Sequence, residues 1–222
     1  MGHPIFARIY ARRSVAEARL QESYRRELLA GLSGRILEIG CGNGLNFGYY
    51  PADVTEVVGI EPEEYLRRQA RLAGVGRTAG TAGAAGAGDT PRFTVVDGRA
   101  ETVSDVVDGP FDGAVFSLVL CSVTDPVAVL REVKTVLNEG ASIRIYEHVA
   151  SDDPRTARYQ RLFAPAWSRL AGGCRPDRDT LASVRGEFEI TEARGFDFCP
   201  GPRIPLGIVA PHILARGEFR PN

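Results

Sequence analysis

The chain has 222 residues, of which 44% are hydrophobic, and its formal net charge at pH 7 is −1. This length and composition are typical of one globular domain with a large apolar core, so we expect a single domain over residues 1–222. A net charge close to zero gives no electrostatic basis for binding nucleic acid or a membrane surface. The sequence has no apolar run of about 18 residues and no signal-peptide core near its start, which predicts a cytoplasmic protein without a membrane anchor.

The four cysteines, at positions 41, 121, 174 and 199, are scattered along the chain. They form no Cys-x-x-Cys pair and show none of the spacings that are typical of zinc ligands. The sequence therefore predicts reduced thiols and no metal site.

Residues 1–31 are predicted to form a helical cap. Apolar residues such as Ile5, Phe6 and Leu28 recur at helical spacing, and charged residues, Arg25 among them, fill the other side. The pattern leaves open whether this cap only covers the sheet or also closes over a substrate pocket as a lid.

A short apolar strand at 36–39 leads into a turn with glycines at positions 40, 42 and 44. Doubly wound sheets bind nucleotide-like ligands at such a turn, because glycine lets a ligand approach the backbone closely. A dinucleotide fingerprint would need its third glycine at position 45, which is Leu45. Within the strand, Glu38 would repel a pyrophosphate but would suit a cationic amino-acid ligand. Glu61 ends the next predicted strand, where an acid can bind both hydroxyls of a ribose. These features disfavour an NAD(P)-dependent enzyme.

The rest of the pattern predicts an α/β fold. Helices are expected at 43–50, 63–72, 126–137, 155–170 and 179–184, and strands at 92–96, 111–120, 141–146, 188–193 and 212–216. Alternating strands and helices indicate a Rossmann-like, doubly wound sheet of seven strands, mostly parallel. The last two strands are joined by a proline-rich loop that no helix could cross, which favours an antiparallel edge. Residues 74–90 are almost entirely Gly, Ala and Thr, which predicts a flexible surface insertion.

The acid-x-Gly-x-Gly-x-Gly turn that starts at Glu38 resembles the first motif of the class I S-adenosylmethionine (SAM) dependent methyltransferases. From about residue 20 to 216 the chain is most similar to their small-molecule branch, which includes methyltransferase-like alkyl-thiol S-methyltransferases and quinone-biosynthesis C-methyltransferases. The segments that carry this likeness are 42–47, 118–123, 130–133, 147–150, Trp167 with 173–174, and 211–213. The vertebrate thiol enzymes begin with a hydrophobic membrane anchor. No such segment is found here, so the resemblance implies no membrane location.

The resemblance implies that SAM is the cofactor and S-adenosylhomocysteine the product. Glu38 is then expected near the ammonium group of SAM, Glu61 at the ribose, and Leu118 beside the adenine. Arg99 stands where many relatives have an acid, so Asp97 or a backbone amide is expected to contact the adenine amine instead. The complete expected cofactor site comprises Glu38, Gly40, Cys41, Gly42, Gly44, Asn46, Glu61, Pro62, Asp97, Ala100 and Leu118.

His148 is the candidate general base. It follows the fifth predicted strand, beside the expected methyl group, and a neutral imidazole near pH 7 can remove a proton from the acceptor. The alternative is a histidine that only orients a loop. Cys121 is interpreted as a packed thiol, because methyl transfer needs no covalent enzyme intermediate. The expected apolar walls of the acceptor pocket are Ile5, Phe6, Phe163, Trp167 and the 202–206 loop.

The sequence thus predicts methyl transfer from SAM to a small, largely apolar acceptor. A thiol is preferred, and a phenol or quinol, which would require O- or C-methylation, comes next. A SAM-binding protein without catalytic activity is the alternative from another class. Nucleic-acid methylation is disfavoured by the near-neutral charge and by the lack of a basic stripe. The expected partner is therefore a small molecule, and the sequence leaves the oligomeric state open.

Overall fold

The structure is a computed structural model that describes residues 7–8, 11–12, 14, 18–80, 91–198 and 210–221. Its strands are β1 (Gly34–Ile39), β2 (Val54–Ile60), β3 (Arg92–Val96), β4 (Phe111–Ser117), β5 (Leu137–His148), β6 (Glu189–Asp197) and β7 (Pro211–Glu218). Its α-helices are α1 (Glu22–Leu29), α2 (Glu64–Gly80), α3 (Pro126–Lys134), α4 (Pro154–Leu170) and α5 (Thr180–Arg185), and a 3₁₀ helix covers Ala100–Asp105.

The strands form one sheet in the order β3-β2-β1-β4-β5-β7-β6. β1 to β5 are parallel, whereas β7 runs antiparallel to both β5 and β6. The predicted seven-stranded, mostly parallel sheet with an antiparallel C-terminal edge is therefore confirmed. In this order the carboxyl ends of β1, β2, β4 and β5 lie next to one another, which is where open α/β sheets bind their ligands.

Apolar side chains cover both faces of the sheet. On one face, Leu37 of β1 belongs to a buried cluster with Leu130 and Val133 of α3. On the other face, Ile36 belongs to a second buried cluster with Leu28 of α1. Because side chains alternate along a strand, Glu38 points to the same face as Ile36. The sequence thus buries a carboxylate beneath α1.

The helix predicted over 43–50 does not form. These residues instead make a series of tight turns, in which the amides of Gly44, Phe47 and Tyr49 each bond to a carbonyl three residues earlier. Gly44 has a positive φ of 78°, and the glycines and asparagines of this segment are poor helix formers. The turns bury Phe47 and Tyr50 against the sheet.

Two further boundaries differ from the prediction. α2 continues to Gly80, so the beginning of the predicted insertion is helical, and residues 81–90 lie outside the described part of the chain. At Gly74 this helix packs closely on β3, because a Cβ at that position would be 2.8 Å from the Cβ of Phe93. α3 ends at Lys134, and Leu137, predicted to be helical, begins β5 opposite Phe111.

Aspartate side chains cap the first turn of two helices. The Asp125 carboxylate accepts hydrogen bonds from the amides of Val127 and Ala128 at the start of α3, with Pro126 as the first helical residue. Asp179 caps α5 in the same way. Of the predicted cap over 1–31, the structure describes α1 and a few residues before it, so the lid remains a prediction.

In the described part of the chain no helix combines the length and the apolar character that crossing a membrane requires. The cytoplasmic location stays a prediction.

Candidate active site

The glycine turn after β1 has the backbone geometry that only glycine adopts easily. Gly40, Gly42 and Gly44 have φ values of +65°, +57° and +78°, a region that L-residues with side chains rarely occupy. A Cβ on Gly40 would be 2.6 Å from Cγ2 of Val119, at the carboxyl end of β4. The turn is therefore packed closely against the neighbouring strand exit.

Glu38 is buried and lines a pocket beside this turn. Its carboxylate accepts hydrogen bonds from Nδ2 of Asn46 at 2.8 Å and from the hydroxyl of Tyr50 at 2.7 Å, and its residue is 1% exposed. Burial raises the pKa of Glu38 to about 7, although both hydrogen bonds and the charge of Arg25 oppose the shift. The pocket is lined by Glu38, Gly40, Asn46 and Leu118 among others, so these predicted residues are brought together.

Arg25 is a residue of this pocket that the sequence pattern misplaced. Its helical spacing assigned it to the charged outer face of the cap, but in α1 it is buried with 4% exposure and lines the pocket. Its guanidinium donates to Oδ1 of Asn46 and to Oε1 of Gln21. The buried Nε has no hydrogen-bond partner among the described residues, which leaves a cationic donor beside Glu38.

Glu61 follows β2 directly, and the backbone holds its carboxylate in place. Oε2 accepts a hydrogen bond from the amide of Gly42 at 3.0 Å, and Oε1 accepts one from the amide of Glu63 at 2.9 Å. Burial raises the pKa of Glu61, partly offset by these two amide bonds. Each carboxylate oxygen has a second lone pair, so both oxygens can still accept a hydrogen bond from a ligand hydroxyl.

The other expected cofactor residues differ in their exposure and in the partners of their side chains. Asp97 forms an ion pair with Arg67 at 2.9 Å, and its side chain is 68% exposed. Cys41 is buried, and its Sγ would lie 2.8 Å from a Cβ on Gly59. The thiol of Cys41 therefore packs into the sheet, so only the backbone of this residue can serve a ligand. Pro62 is exposed, Ala100 is buried and Leu118 is half-buried, and Arg99 pairs with Glu101 at the surface.

The exit of β4 is held by a carboxylate that the sequence analysis did not assign a role. Glu147, fully buried near the end of β5, accepts hydrogen bonds from the amides of Val119 at 2.7 Å, Leu120 at 2.8 Å and Cys121 at 3.2 Å. Burial raises the pKa of Glu147 to about 6, against these three bonds. Immediately before them, Leu118 has a φ of +59°. A non-glycine residue in this region persists only where its surroundings hold it there.

His148, the candidate base, ends β5 and faces two cysteines. Its Nδ1 lies 3.5 Å from Sγ of Cys121 and 3.7 Å from Sγ of Cys174. Burial alone would lower the pKa of His148, but the negative charge of Cys174 and of Glu147 raises it overall. A hydrogen bond from Cys121 and the nearby His148 hold the pKa of Cys174 well below its usual value, despite burial. Sequence reasoning interpreted Cys121 as a packed thiol, and the structure buries it, but beside two polar groups.

His212 packs on the other side of His148. The two ring centroids are 4.4 Å apart, and Nδ1 of His212 lies 2.7 Å from the carbonyl oxygen of Ala210. Burial and the charge of His148 lower the pKa of His212 to about 3. His212 is therefore neutral at physiological pH and donates its Nδ1 proton to that carbonyl.

The expected apolar pocket walls are only partly described. Phe163 is 40% exposed on α4, and Trp167 is half-buried one turn further along the helix. Ile5, Phe6 and the 202–206 loop lie outside the described residues.

Comparison with known proteins defines the class of the fold. The model of the methyltransferase domain family matches residues 37–145. The N-methyltransferase NodS from Bradyrhizobium japonicum, solved with S-adenosylhomocysteine, has a TM-score of 0.62 at 14% identity, with 90% of this chain and 86% of that chain covered. A SAM-dependent methyltransferase from Methanosarcina mazei has a TM-score of 0.59 at 23% identity, with 85% of this chain and 93% of that chain covered. These matches, with the glycine turn and the buried acids on either side of it, show the fold of the SAM-dependent methyltransferases.

The relatives that are most informative about the family are thiol methyltransferases. Human thiol S-methyltransferase TMT1B is 35% identical over 210 residues, which is 89% of this chain and 79% of the relative. Human thiol S-methyltransferase TMT1A is 33% identical over 190 residues, which is 83% of this chain and 71% of the relative. The chain belongs to the methyltransferase family that contains TMT1A and TMT1B.

Proposed function

We propose that this enzyme transfers the methyl group of SAM to a small, largely apolar thiol, giving a methyl thioether and S-adenosylhomocysteine. The observation that carries the choice of a thiol is the identity, over nearly nine tenths of the chain, with a relative named as a thiol S-methyltransferase. The fold alone would not support this choice, because one fold can host many unrelated reactions.

The charged groups that line the pocket beside the glycine turn suit the amino-acid end of SAM. In this proposal the ionised Glu38 carboxylate pairs with the ammonium group, and the unpartnered Nε of Arg25 donates to the carboxylate. Val119 packs directly against Gly40, so a side chain at position 40 would clash with Val119 beside the pocket. Two oppositely charged, buried groups side by side match a zwitterion better than a phosphate.

The ribose and the adenine are assigned to residues that follow the next two strands along the sheet, β2 and β3. We assign Glu61, after β2, to the ribose hydroxyls, because both its oxygens retain a free acceptor site while the amides of Gly42 and Glu63 fix their direction. Asp97, after β3, is the residue proposed for the adenine amine, since its carboxylate is largely exposed at this edge. Ala100 and Leu118 are proposed to pack against the adenine ring.

His148 is proposed to promote loss of the acceptor's proton. Bound SAM supplies a methyl carbon already activated by its sulfonium, so the protein mainly has to position the acceptor in a site without water. A thiol with a pKa near 8.5 supplies some thiolate at neutral pH, whereas a phenol with a pKa near 10 supplies far less. A thiol therefore needs only modest help from His148.

The test is turnover by purified enzyme with SAM and matched alkyl thiol, aryl thiol, phenol, quinol and carboxylate acceptors. We expect thiols to be methylated fastest. His148→Ala should lower the thiol rate moderately and the phenol rate more severely, and a higher pH should partly restore the thiol reaction, while SAM affinity stays unchanged. Turnover of a hydroxyl or carbon acceptor with no thiol methylated would overturn the acceptor assignment. A full rate of His148→Ala across the pH range would overturn the role of His148.

A further inference from the structure

Three potential metal ligands meet at the carboxyl edge of the sheet. Cys121 comes from the turn after β4, His148 from the end of β5, and Cys174 from the loop between α4 and α5. Their ligand atoms, Sγ, Nδ1 and Sγ, all lie within 4.8 Å of one another. Both cysteines are buried and His148 is half-buried, so the cluster is enclosed but not sealed from the ligand-binding edge.

The spacing of these atoms matches the first coordination sphere of zinc. With Zn–S near 2.3 Å and Zn–N near 2.05 Å, tetrahedral angles separate a sulfur from a nitrogen ligand by ~3.6 Å. The two Nδ1 to Sγ distances here are 3.5 Å and 3.7 Å. A zinc ion could therefore enter with little rearrangement of the three side chains.

The backbone around the cluster is rigid, as a metal site requires. Glu147 fixes the amide of Cys121 on one side. On the other side, the amide of Arg175 donates to the carbonyl of Cys121 at 2.7 Å. The Arg178 guanidinium donates to the carbonyls of Leu120 and Val123, at 2.8 Å and 2.6 Å. These contacts tie the loop that carries Cys174 to the turn that carries Cys121.

A tight backbone contact adds to this bracing. Gly173 has a φ of +95°, and a Cβ there would be 2.6 Å from the carbonyl oxygen of Ser122. The loop can approach the β4 exit this closely only because position 173 is glycine. Cys174 is thus placed against Cys121 by the backbone rather than by a flexible side chain.

We propose that Cys121, His148 and Cys174 bind one zinc ion, and that the fourth coordination position takes the sulfur of the acceptor thiol. Among the described residues the group contains three ligands and no fourth. Catalytic zinc sites have three protein ligands and one open position, whereas structural sites have four. Glu147 precedes His148 directly, but it does not supply a fourth ligand, because its carboxylate already accepts hydrogen bonds from three backbone amides. The second half of the proposal, the thiol at the open position, rests on the proposed function.

Zinc binding would change how the acceptor is activated. The acceptor thiol would lose its proton to solvent on binding the metal, as thiol ligands do. Its sulfur lone pair would form the new S–C bond while the bond between the methyl carbon and the sulfonium sulfur breaks, and that electron pair would stay on S-adenosylhomocysteine. His148 would then promote loss of the acceptor's proton as a zinc ligand through Nδ1, and not by taking the proton itself.

The test measures metal content first, without any acceptor. Untagged, reduced protein is loaded with zinc, desalted and analysed for metal by mass spectrometry, and a cobalt-loaded sample is examined by visible absorption. We expect about one metal per chain and the intense absorption of tetrahedral, thiolate-bound cobalt. Cys121→Ser and Cys174→Ser should each weaken binding by at least about 100-fold, since loss even of outer-shell partners costs 10–100-fold. Cys41→Ser, at a buried cysteine outside the cluster, should bind metal like the wild type. Circular dichroism and thermal unfolding report whether each serine variant is folded.

Two results separate this proposal from the proposed function. Addition of an alkyl thiol to the cobalt protein should change the charge-transfer absorption, as a third sulfur joins the metal. No metal above background in the wild type, or equal metal in the two cluster variants, would overturn the zinc site whatever the acceptor. Metal binding with an unchanged spectrum on thiol addition would overturn only the open-position role. Metal binding without thiol turnover would overturn the proposed function and leave the zinc site standing.

Discussion

Replacing Glu38 with glutamine should weaken SAM binding and, at alkaline pH, stabilise the protein. Glutamine approximates the protonated carboxyl, and it can still accept from Asn46 and bond to the hydroxyl of Tyr50. In the wild type, burial raises the pKa of Glu38 from 4.5 to about 7. An acid whose folded pKa lies above its unfolded pKa stabilises the fold when protonated, and this stability is lost as pH rises from the unfolded to the folded value.

The size of the effect follows from the two pKa values. At pH 8 the folded state bears a cost of about 3 kcal/mol for ionising Glu38, and at pH 5 this cost falls below about 1 kcal/mol. Glu38→Gln removes the cost. For a chain of this length that corresponds to a rise in melting temperature of roughly 6–12 °C at pH 8, and the rise should shrink as pH falls.

SAM affinity should move in the opposite direction. The variant lacks the charge that we assign to the ammonium group, so its dissociation constant should increase at least about tenfold, or about 1.4 kcal/mol. In the wild type, affinity should increase from pH 6 to pH 8 as Glu38 ionises, and in the variant it should not. Calorimetric titration and thermal unfolding at several pH values measure both effects.

Glu56→Gln is the matched control for this experiment. Despite partial burial, the bonds from Arg35 and Arg92 hold the pKa of Glu56 below its usual value. The same substitution there should lower the melting temperature and leave SAM affinity unchanged. If Glu38→Gln is less stable than the wild type at pH 8, or binds SAM with unaltered affinity, the assignment of Glu38 as a strained, ligand-pairing carboxylate is refuted.

Two glycine pairs provide further tests. Gly42→Val places a branched side chain at a φ of +57° in the turn and should weaken SAM binding at least about tenfold. Gly48→Ala is the control and should not weaken it, because a Cβ at that position would have no neighbour within 4 Å. If calorimetry gives the two variants equal SAM affinities, the glycine turn is not part of the SAM site. Gly74→Ala should destabilise the fold by about 1–3 kcal/mol, because its methyl would meet Phe93. Gly76→Ala lies on the same helix in open space and should stabilise the fold by about 0.5–1 kcal/mol. Chemical denaturation measures the change in unfolding free energy, and a change of the same sign for both variants would contradict the packing described for α2.

The fold could be predicted wherever a local signal decided the structure. The apolar run at 92–96 and the Asp125 cap with its proline correspond to β3 and to the start of α3. The errors lie where tertiary packing overrode composition. α2 continues beyond residue 72, where Gly74 packs on Phe93, and Leu137 joins β5 opposite Phe111. Neither contact can be read from a short window of sequence.

The candidate site divides in the same way. Glu38 and Glu61 were predictable, because each stands at the end of a strand next to the glycine turn. Arg25 was not, because a buried arginine and a surface arginine have the same helical spacing. The cluster around His148 was also hidden, since Cys121 lies 27 residues before it and Cys174 lies 26 residues after it. Only the topology, which places the β4 exit beside the end of β5, brings the three together.

One turn, residues 118–121, contacts both the pocket beside the glycine turn and the cysteine–histidine cluster. Its Val119 closes over Gly40, and its Cys121 faces His148. Leu118 is held at a positive φ, with its amide bonded to the carbonyl of Tyr146 at 2.7 Å, and the next three amides are bonded to Glu147. The separation between the pocket and the cluster is therefore set by hydrogen-bonded backbone and not by mobile side chains. If SAM and the acceptor bind where we propose, this rigidity keeps the sulfur and the methyl carbon aligned, and methyl transfer by in-line displacement depends on that alignment.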